Sequence, residues 1–394
     1  MTSHQAVFLL LGLAVVLVVT RAAGVLARRL RQPRVVGEMA AGILLGPTFF
    51  HGVVARAVFP VDVRPMIAAL ANVGVAVFMF IVGLEVDHRL LRRDSASALT
   101  VALGSILVPF GLGFGAAYLI GGPDARMPGS ALFLGTAMAI TAFPVLARIL
   151  RDRELSRTRI GGLALLAAAV GDVIAWCVLA VVITVTGTQQ DQWRAALLIP
   201  YLLLLVFAVR PLLRRLPPTT SGLVLAMAGL LVSASATEWM GLHFIFGAFA
   251  FGLVMPRSGV TAAVHERVET FGTALLLPVF FVVSGLNADL SGLSTDGLWQ
   301  LGLILLVAIG GKIAGAYLGA RLRKQTPRDA AVLAVLMNTR GLTELIVLAV
   351  GLQIGVLDVR LYSLLVVMAL VTTAMTGPLL SPLMRRGDPA FLPA

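Results

Sequence analysis

Long apolar stretches, separated by short segments with charged residues, glycine or proline, run along the whole chain. About 20 apolar residues are enough for a helix to cross the ~30 Å hydrocarbon layer of a bilayer. The pattern predicts thirteen membrane-spanning helices, some of them short. They lie near 5–27, 34–50, 65–86, 97–121, 129–148, 160–186, 195–212, 220–237, 242–256, 268–286, 298–320, 329–351 and 360–384.

Composition supports this pattern. Hydrophobic residues make up 59% of the 394 residues and charged residues only 13%, whereas soluble domains contain about 25% charged residues. The sequence therefore predicts an all-α, multi-pass protein of the cell membrane, with one transmembrane domain over 1–394 and no soluble regulatory domain. A single cysteine, Cys177, excludes a disulfide framework. No nucleotide, nucleophile or metal motif occurs, so we expect neither an enzyme nor a cofactor.

The net charge of +12 comes from an uneven distribution of basic residues. Arginine and lysine concentrate in alternate loops, as basic residues do on the cytoplasmic side of a membrane. This distribution places the N-terminus outside and the C-terminus in the cytoplasm. It accounts for the charge without a nucleic-acid partner. The opposite set of loops contains only Arg56, Arg64, Arg126, Arg194 and Arg360.

Two short patterns occur twice. The residues Val77-Phe78, Gly83-Leu84 and Asp87 recur 202 positions later, and Gly37 and Gly42 recur 210 positions later. These matches pair spans that are seven apart, so the two copies have opposite orientations. Such inverted repeats are typical of secondary transporters, although apolar segments rich in glycine also resemble one another by chance. The predicted parts are repeat one (about 5–186), a linking helix (about 195–212) and repeat two (about 220–384).

Asp172 lies at the midpoint of a nearly unbroken apolar stretch from Leu163 to Val182. A charged side chain at the bilayer centre costs roughly 2.5–3.5 kcal/mol on insertion scales, so such residues face the bundle interior or an aqueous cavity. Asp172 is therefore a candidate for binding an ion or a proton. The alternative is a carboxylate held by a structural partner inside the bundle.

Two spans are interrupted at positions that correspond under the repeat. The earlier span contains a proline, which removes a backbone donor from a helix. The later span is interrupted by polar residues and a glycine. Paired broken helices of this kind indicate a transporter binding site, whereas a single proline more often marks a kink. We expect the half-helix ends of the two spans to face each other, with Asp172 offsetting the positive ends and Arg340 or Glu344 the negative ends. The interruptions are Thr141-Ala142-Phe143-Pro144 and Asn338-Thr339-Arg340-Gly341.

Other charged residues also fall within spans. Lys312 is close to mid-span, where a buried ammonium must pair with a carboxylate or give up its proton; it is either a releasable counter-charge to Asp172 or part of a fixed ion pair. Glu38 and Glu85 are secondary acidic candidates, each for ion contact or for a packing or hydrogen-bonding role between helices. Glu85, near a cytoplasmic helix end, is alternatively a gate or surface residue. His243 is an interfacial residue or a pH sensor.

Six motifs follow one another along the chain: Thr141–Arg148, Gly171–Trp176, Phe246–Phe249, Leu277–Phe281, Ser284–Leu286 and Asn338–Leu345. In this order they resemble monovalent cation/proton antiporters of the cation:proton antiporter-2 type, which include plant cation/proton exchangers and bacterial potassium-efflux antiporters. The resemblance implies exchange of sodium or potassium for protons, a homodimer, and crossed broken helices beside an aspartate helix. The family usually has a second polar residue before the aspartate, where this chain has Gly171.

These observations predict that Asp172 binds either a proton or a monovalent cation, never both together. Thr141 and backbone carbonyls of the broken helices would complete the oxygen shell of the cation. A single carboxylate favours one-for-one, electroneutral exchange. Two other functions stay open: a gated cation channel on the same scaffold, and a proton-coupled exporter of an organic or ionophoric compound.

Overall fold

The computed structural model describes residues 1–49, 52–85, 95–120, 128–156, 158–186, 196–215, 217, 219–256, 267, 268, 270, 272–291 and 295–384. All secondary structure in these ranges is helical. The helices are α1 (Ser3–Arg29), α2 (Arg34–Leu45), α3 (Val53–Val58), α4 (Arg64–Glu85), α5 (Ser95–Ile120), α6 (Pro128–Ala139), α7 (Phe143–Asp152), α8 (Arg159–Thr186), α9 (Leu198–Leu213), α10 (Thr220–Trp239), α11 (Phe244–Val254), α12 (Leu277–Leu286), α13 (Thr295–Leu322), α14 (Pro327–Met337), α15 (Leu342–Gln353) and α16 (Val359–Leu383).

Most of these helices are apolar on all sides, as helices surrounded by lipid and protein must be. Within the described ranges, eight spans are long and apolar enough to cross a membrane, or nine if the bent pair of α14 and α15 is one span. One of the eight is the interrupted segment Gly129–Asp152. The all-helical membrane fold class is thus confirmed, while the count of thirteen spans stays a prediction.

Both predicted interruptions separate helices in the structure. Helix α6 ends at Ala139 and α7 begins at Phe143, with Pro144 in the first turn of α7. Proline is tolerated there because the first backbone N–H groups of a helix have no intrahelical partner. Helices α14 and α15 are bent by 45° between Met337 and Leu342. The residues of both connections are buried.

The chain divides into two compact units. The first contains Met1–Val19, Val53–Asp87 and Ile183–Val283, and the second contains Thr20–Gly52, His88–Val182 and Ser284–Ala394. Every sequence-predicted site residue except Glu85 and His243 belongs to the second unit. Glu85 ends α4, and its side chain lies outside the described residues, as does Asp87 of the repeated pattern.

In the second unit, α5 and α13 pack closely along their lengths through small residues. An added side chain at Gly104 would overlap the backbone of Gly315, and the reverse also holds. One turn further along, a side chain at Gly319 would meet the Thr100 carbonyl. Glycine permits backbones to approach in this way within membranes. This packing fixes α13, which carries Lys312.

Candidate functional site

The two interruptions are bound to each other through backbone and side-chain hydrogen bonds. The Thr141 hydroxyl donates to the Met337 carbonyl at 3.0 Å, and the Ala142 amide donates to the Thr339 carbonyl at 3.0 Å. Both connections therefore satisfy polar backbone groups that the broken helices expose, as a membrane interior requires. We call Thr141–Phe143 together with Met337–Gly341 the crossing.

Asp172 faces this crossing from α8. Its side chain is 3% exposed. The backbone N–H of Phe143, at the positive N-terminal end of α7, and the Lys312 ammonium both act favourably on its charge. Neither carboxylate oxygen, however, meets the distance and angle limits of a hydrogen bond with any described residue. Asp172 is thus a buried carboxylate with favourable charges around it and two oxygens free to bind.

Two buried cations satisfy the C-terminal end of α6. Arg340 donates to the carbonyls of Ala137 at 2.7 Å and Met138 at 2.6 Å, and the Lys312 ammonium donates to the carbonyl of Ala139. The last carbonyls of a helix have no intrahelical donors and carry partial negative charge. Lys312 therefore binds the α6 end directly and acts on Asp172 only across space.

Arg340 also forms an ion pair with Glu344 in the first turn of α15. The Nη1–Oε2 distance is 2.8 Å, and both side chains are fully buried. The other Glu344 oxygen has no hydrogen-bond partner among the described residues. With Asp172 and Lys312, the pair completes a set of two buried acids and two buried bases, whose formal charges cancel when all four are ionised.

Gly341 lets the chain turn from α14 into α15. Its φ of +155° is one that residues with side chains rarely adopt, and an added side chain would strike Val145 of α7. The turn is also fixed from α16, where the Thr373 hydroxyl donates to the Arg340 carbonyl at 2.8 Å. A hydroxyl contact of 3.4 Å joins Thr339 to Thr376.

The structure also shows polar groups at the crossing that sequence reasoning did not single out. The hydroxyl of Thr343 is buried without a hydrogen-bond partner among the described residues, and Thr373 and Thr376 support the turn. A threonine in an apolar helix usually bonds a carbonyl one turn earlier in its own helix. The sequence therefore carried no signal that distinguished these threonines from the others in the spans.

The remaining predicted residues lie apart from this cluster. Glu38 on α2 is partly buried and interacts with Arg148, Arg34 and Arg21, and no hydrogen bond joins it to the crossing within the described ranges. His243 precedes α11 in the first unit. Gly171 is buried beside Asp172, and an added Cβ would meet only Ile106, at an ordinary 3.8 Å.

Comparison with known proteins assigns this architecture to a family. The family model described as "Sodium/hydrogen exchanger, transmembrane" matches residues 12–386. The chain belongs to this family. Members are secondary transporters rather than enzymes, which confirms the family prediction and the expectation that the chain is not an enzyme.

The relatives extend over nearly the whole chain. The Na(+)/H(+) antiporter NhaS4 of Synechocystis is 37% identical and covers 96% of this chain and 98% of its own length. Cation/H(+) antiporter 20 of Arabidopsis thaliana is 38% identical over 94% of this chain, which spans about half (48%) of that relative. The sodium proton antiporter MjNhaP1 of Methanocaldococcus jannaschii has the same fold, with a TM-score of 0.70 at 14% identity, covering 94% of this chain and 98% of its own.

Proposed function

We propose that the chain exchanges a monovalent cation, Na⁺ or K⁺, for protons across the cell membrane by alternating access, with Asp172 as the shared binding site. The single observation that carries the proposal is the Asp172 carboxylate, buried beside the crossing with neither oxygen hydrogen-bonded to another described residue. Membership of the sodium/hydrogen exchanger family and the antiporter names of its relatives support this function.

The charge balance at the site supports one-for-one exchange. Proton-bound and cation-bound Asp172 carry the same formal charge, because each guest adds one positive charge to one carboxylate. Gly171 supplies no second titratable group beside it. A full cycle then exchanges one cation for one proton and moves no net charge. In this account the proton and the cation compete, and that competition alone couples their gradients.

We further propose the orientation and repeat that the sequence predicts. Each unit contains a close crossing at corresponding glycines: Gly83 with Gly252 in the first unit, and Gly285 with Gly42 in the second. These positions are related by the offsets of 202 and 210 found in the sequence. The arginine-rich loops support an external N-terminus, and the family resemblance supports a homodimer.

Reconstituted vesicles containing a pH dye test the function. We expect addition of Na⁺ or K⁺ to release internal acid, and we expect Asp172→Asn to abolish this response while the protein stays folded. The matched control is Asp289→Asn, which neutralises an exposed carboxylate whose hydrogen-bond donor among the described residues is Ser291. Cation-driven exchange by Asp172→Asn at the wild-type rate would refute the mechanism.

Electrical measurements distinguish an exchanger from a gated channel. A gated channel would pass current at rates that no alternating-access cycle reaches, and planar-bilayer recording would detect it. Electroneutral exchange predicts no current, and it predicts a rate that does not change when a membrane potential is imposed.

A further inference from the structure

Asn338 is fully buried at the C-terminal end of α14. Neither its side-chain oxygen nor its side-chain nitrogen has a hydrogen-bond partner among the described residues. A buried polar group left without a partner costs about 1–3 kcal/mol, and an asparagine amide carries two donors and a two-lone-pair acceptor. Structural asparagines in a core are bonded. The amide of Asn338 has no such bond among the described residues, so its polar atoms are available to a ligand.

The position of Asn338 associates it with the candidate cation site. Its two chain neighbours bind the other interruption: the Met337 carbonyl accepts from Thr141, and the Thr339 carbonyl accepts from Ala142. The next residue along, Phe143, presents its amide to Asp172. Asn338 therefore lies between two residues whose carbonyls bind the interruption that leads into Phe143.

Several oxygens at and beside the crossing already accept hydrogen bonds. The terminal carbonyls of α6 accept from Arg340 and Lys312, so they lie against positive charges that repel a cation. The Arg340 carbonyl accepts from Thr373. Among the described side chains of the two interruptions, the Asn338 amide oxygen is a neutral, buried acceptor without a hydrogen-bond partner.

A neutral carbonyl suits this position. Channels and transporters replace the hydration shell of a monovalent cation with oxygens of carbonyl type. One carboxylate supplies charge, and an amide oxygen adds a ligand without a second titratable group. In potassium channels, the preference between cations is attributed to the size of the site or to the number and field strength of its carbonyl ligands.

We propose that the side-chain oxygen of Asn338 is a ligand of the transported cation and sets the preference between Na⁺ and K⁺; this rests on the proposed cation site at Asp172. The second interruption then supplies a side-chain ligand as well as backbone support. Cation binding joins α14 to α8 through one bound ion, whereas a proton on Asp172 makes no contact with Asn338.

Direct binding tests the proposal independently of exchange. The measurement is the rise in unfolding temperature of the purified full chain with increasing Na⁺ or K⁺, because a ligand that binds only the folded state stabilises it by mass action. We expect Asn338→Ala to weaken apparent cation affinity by roughly tenfold, the amount that loss of one favourable polar contact produces. The ratio between Na⁺ and K⁺ affinities should change as well.

The matched control is Thr372→Val. Thr372 is also fully buried, but its hydroxyl bonds carbonyls of its own helix, Met368 at 2.8 Å and Ala369 at 3.1 Å. Its removal should leave both cation affinities unchanged. If Asn338→Ala does not fold, Asn338→Asp tests the ligand role instead. This variant keeps the shape of the side chain and adds a charge, so it should alter the ratio of Na⁺ to K⁺ affinity.

The outcomes separate the two proposals. Unchanged affinities and an unchanged ratio in the Asn338 variant that folds would overturn the ligand role. If the Asn338 substitution weakens cation binding but the wild-type chain does not exchange cations for protons, the ligand role is supported and antiport is refuted. If the substitution weakens cation binding and the wild-type chain does exchange cations for protons, both proposals are supported.

Discussion

Replacing Arg340 with methionine should destabilise the protein more than any other single change at the site. Arg340 donates to two carbonyls of α6 and to Glu344, at 2.6–2.8 Å, and is fully buried. Removing one member of a buried ion pair costs about 3–5 kcal/mol. Each carbonyl left without a donor adds about 1–3 kcal/mol. We therefore expect a loss of at least about 5 kcal/mol, a large share of a typical free energy of unfolding of about 5–15 kcal/mol.

A double-mutant cycle isolates the ion pair from the carbonyl contacts. Glu344→Gln keeps the side-chain shape and leaves both carbonyl hydrogen bonds of Arg340 intact, so it should cost less, about 1.5–3 kcal/mol. The double variant should lose less than the sum of the single losses, by about 1–3 kcal/mol, because the second change removes the carboxylate that the first leaves unpaired.

Equilibrium unfolding by SDS in mixed micelles, followed by tryptophan fluorescence, measures these free energies. Arg360→Met is the control: Arg360 is exposed at the start of α16, and its replacement should change stability by less than about 0.5 kcal/mol. An Arg340→Met variant within about 1 kcal/mol of wild type, or strict additivity in the cycle, would contradict the bonding described here.

Two glycine substitutions give opposite expectations. Gly341→Ala should destabilise the protein by about 1–3 kcal/mol, because the φ of Gly341 and the Val145 side chain both exclude a Cβ. The control is Gly310→Ala, at an open helical position. Equal losses of stability in the two variants would contradict the role given to the Gly341 turn. Gly171→Ala should stabilise α8 by about 0.5–1 kcal/mol. It should also keep exchange in vesicles, because the proposed mechanism assigns both the proton and the cation to Asp172 alone. Loss of exchange in folded Gly171→Ala would show that the position has a role that a single carboxylate does not explain.

The broad fold follows from the sequence because lipid imposes simple rules. Apolar length predicts spanning helices, and a proline at position 144 or a glycine at position 341 predicts where a helix ends. The charged residues Asp172, Lys312 and Arg340 had to be buried together, because no isolated charge is stable among lipid tails. The structure describes all three in the same unit.

The partners of these charges could not be read from the sequence. Arg340 and Lys312 bind the end of α6, which is 203 and 173 residues away in the chain. Which of several carbonyls and carboxylates each cation meets depends on how the helices pack in three dimensions. The sequence therefore allowed a direct pair between Lys312 and Asp172, whereas the described ammonium donates to a carbonyl.

The hydrogen-bond partners of two adjacent threonines could not be predicted from the sequence either. Thr372 and Thr373 are adjacent on α16 and equally buried, yet Thr372 bonds only its own helix, while Thr373 also reaches the Arg340 carbonyl. Their contrast arises from the helix face that each one occupies relative to the crossing. The inverted repeat, in turn, stays a prediction, which the matching glycine crossings support.

Proton release on cation binding tests the central claim most directly. The purified chain is held in weakly buffered detergent solution with a pH dye, and NaCl or KCl is added at constant ionic strength. If one carboxylate holds either guest, binding should release up to one proton per chain, with less release as the pH rises and Asp172 becomes ionised beforehand. Asp172→Asn should release none. Saturable cation binding without proton release at any pH, or undiminished release from Asp172→Asn, would contradict the account.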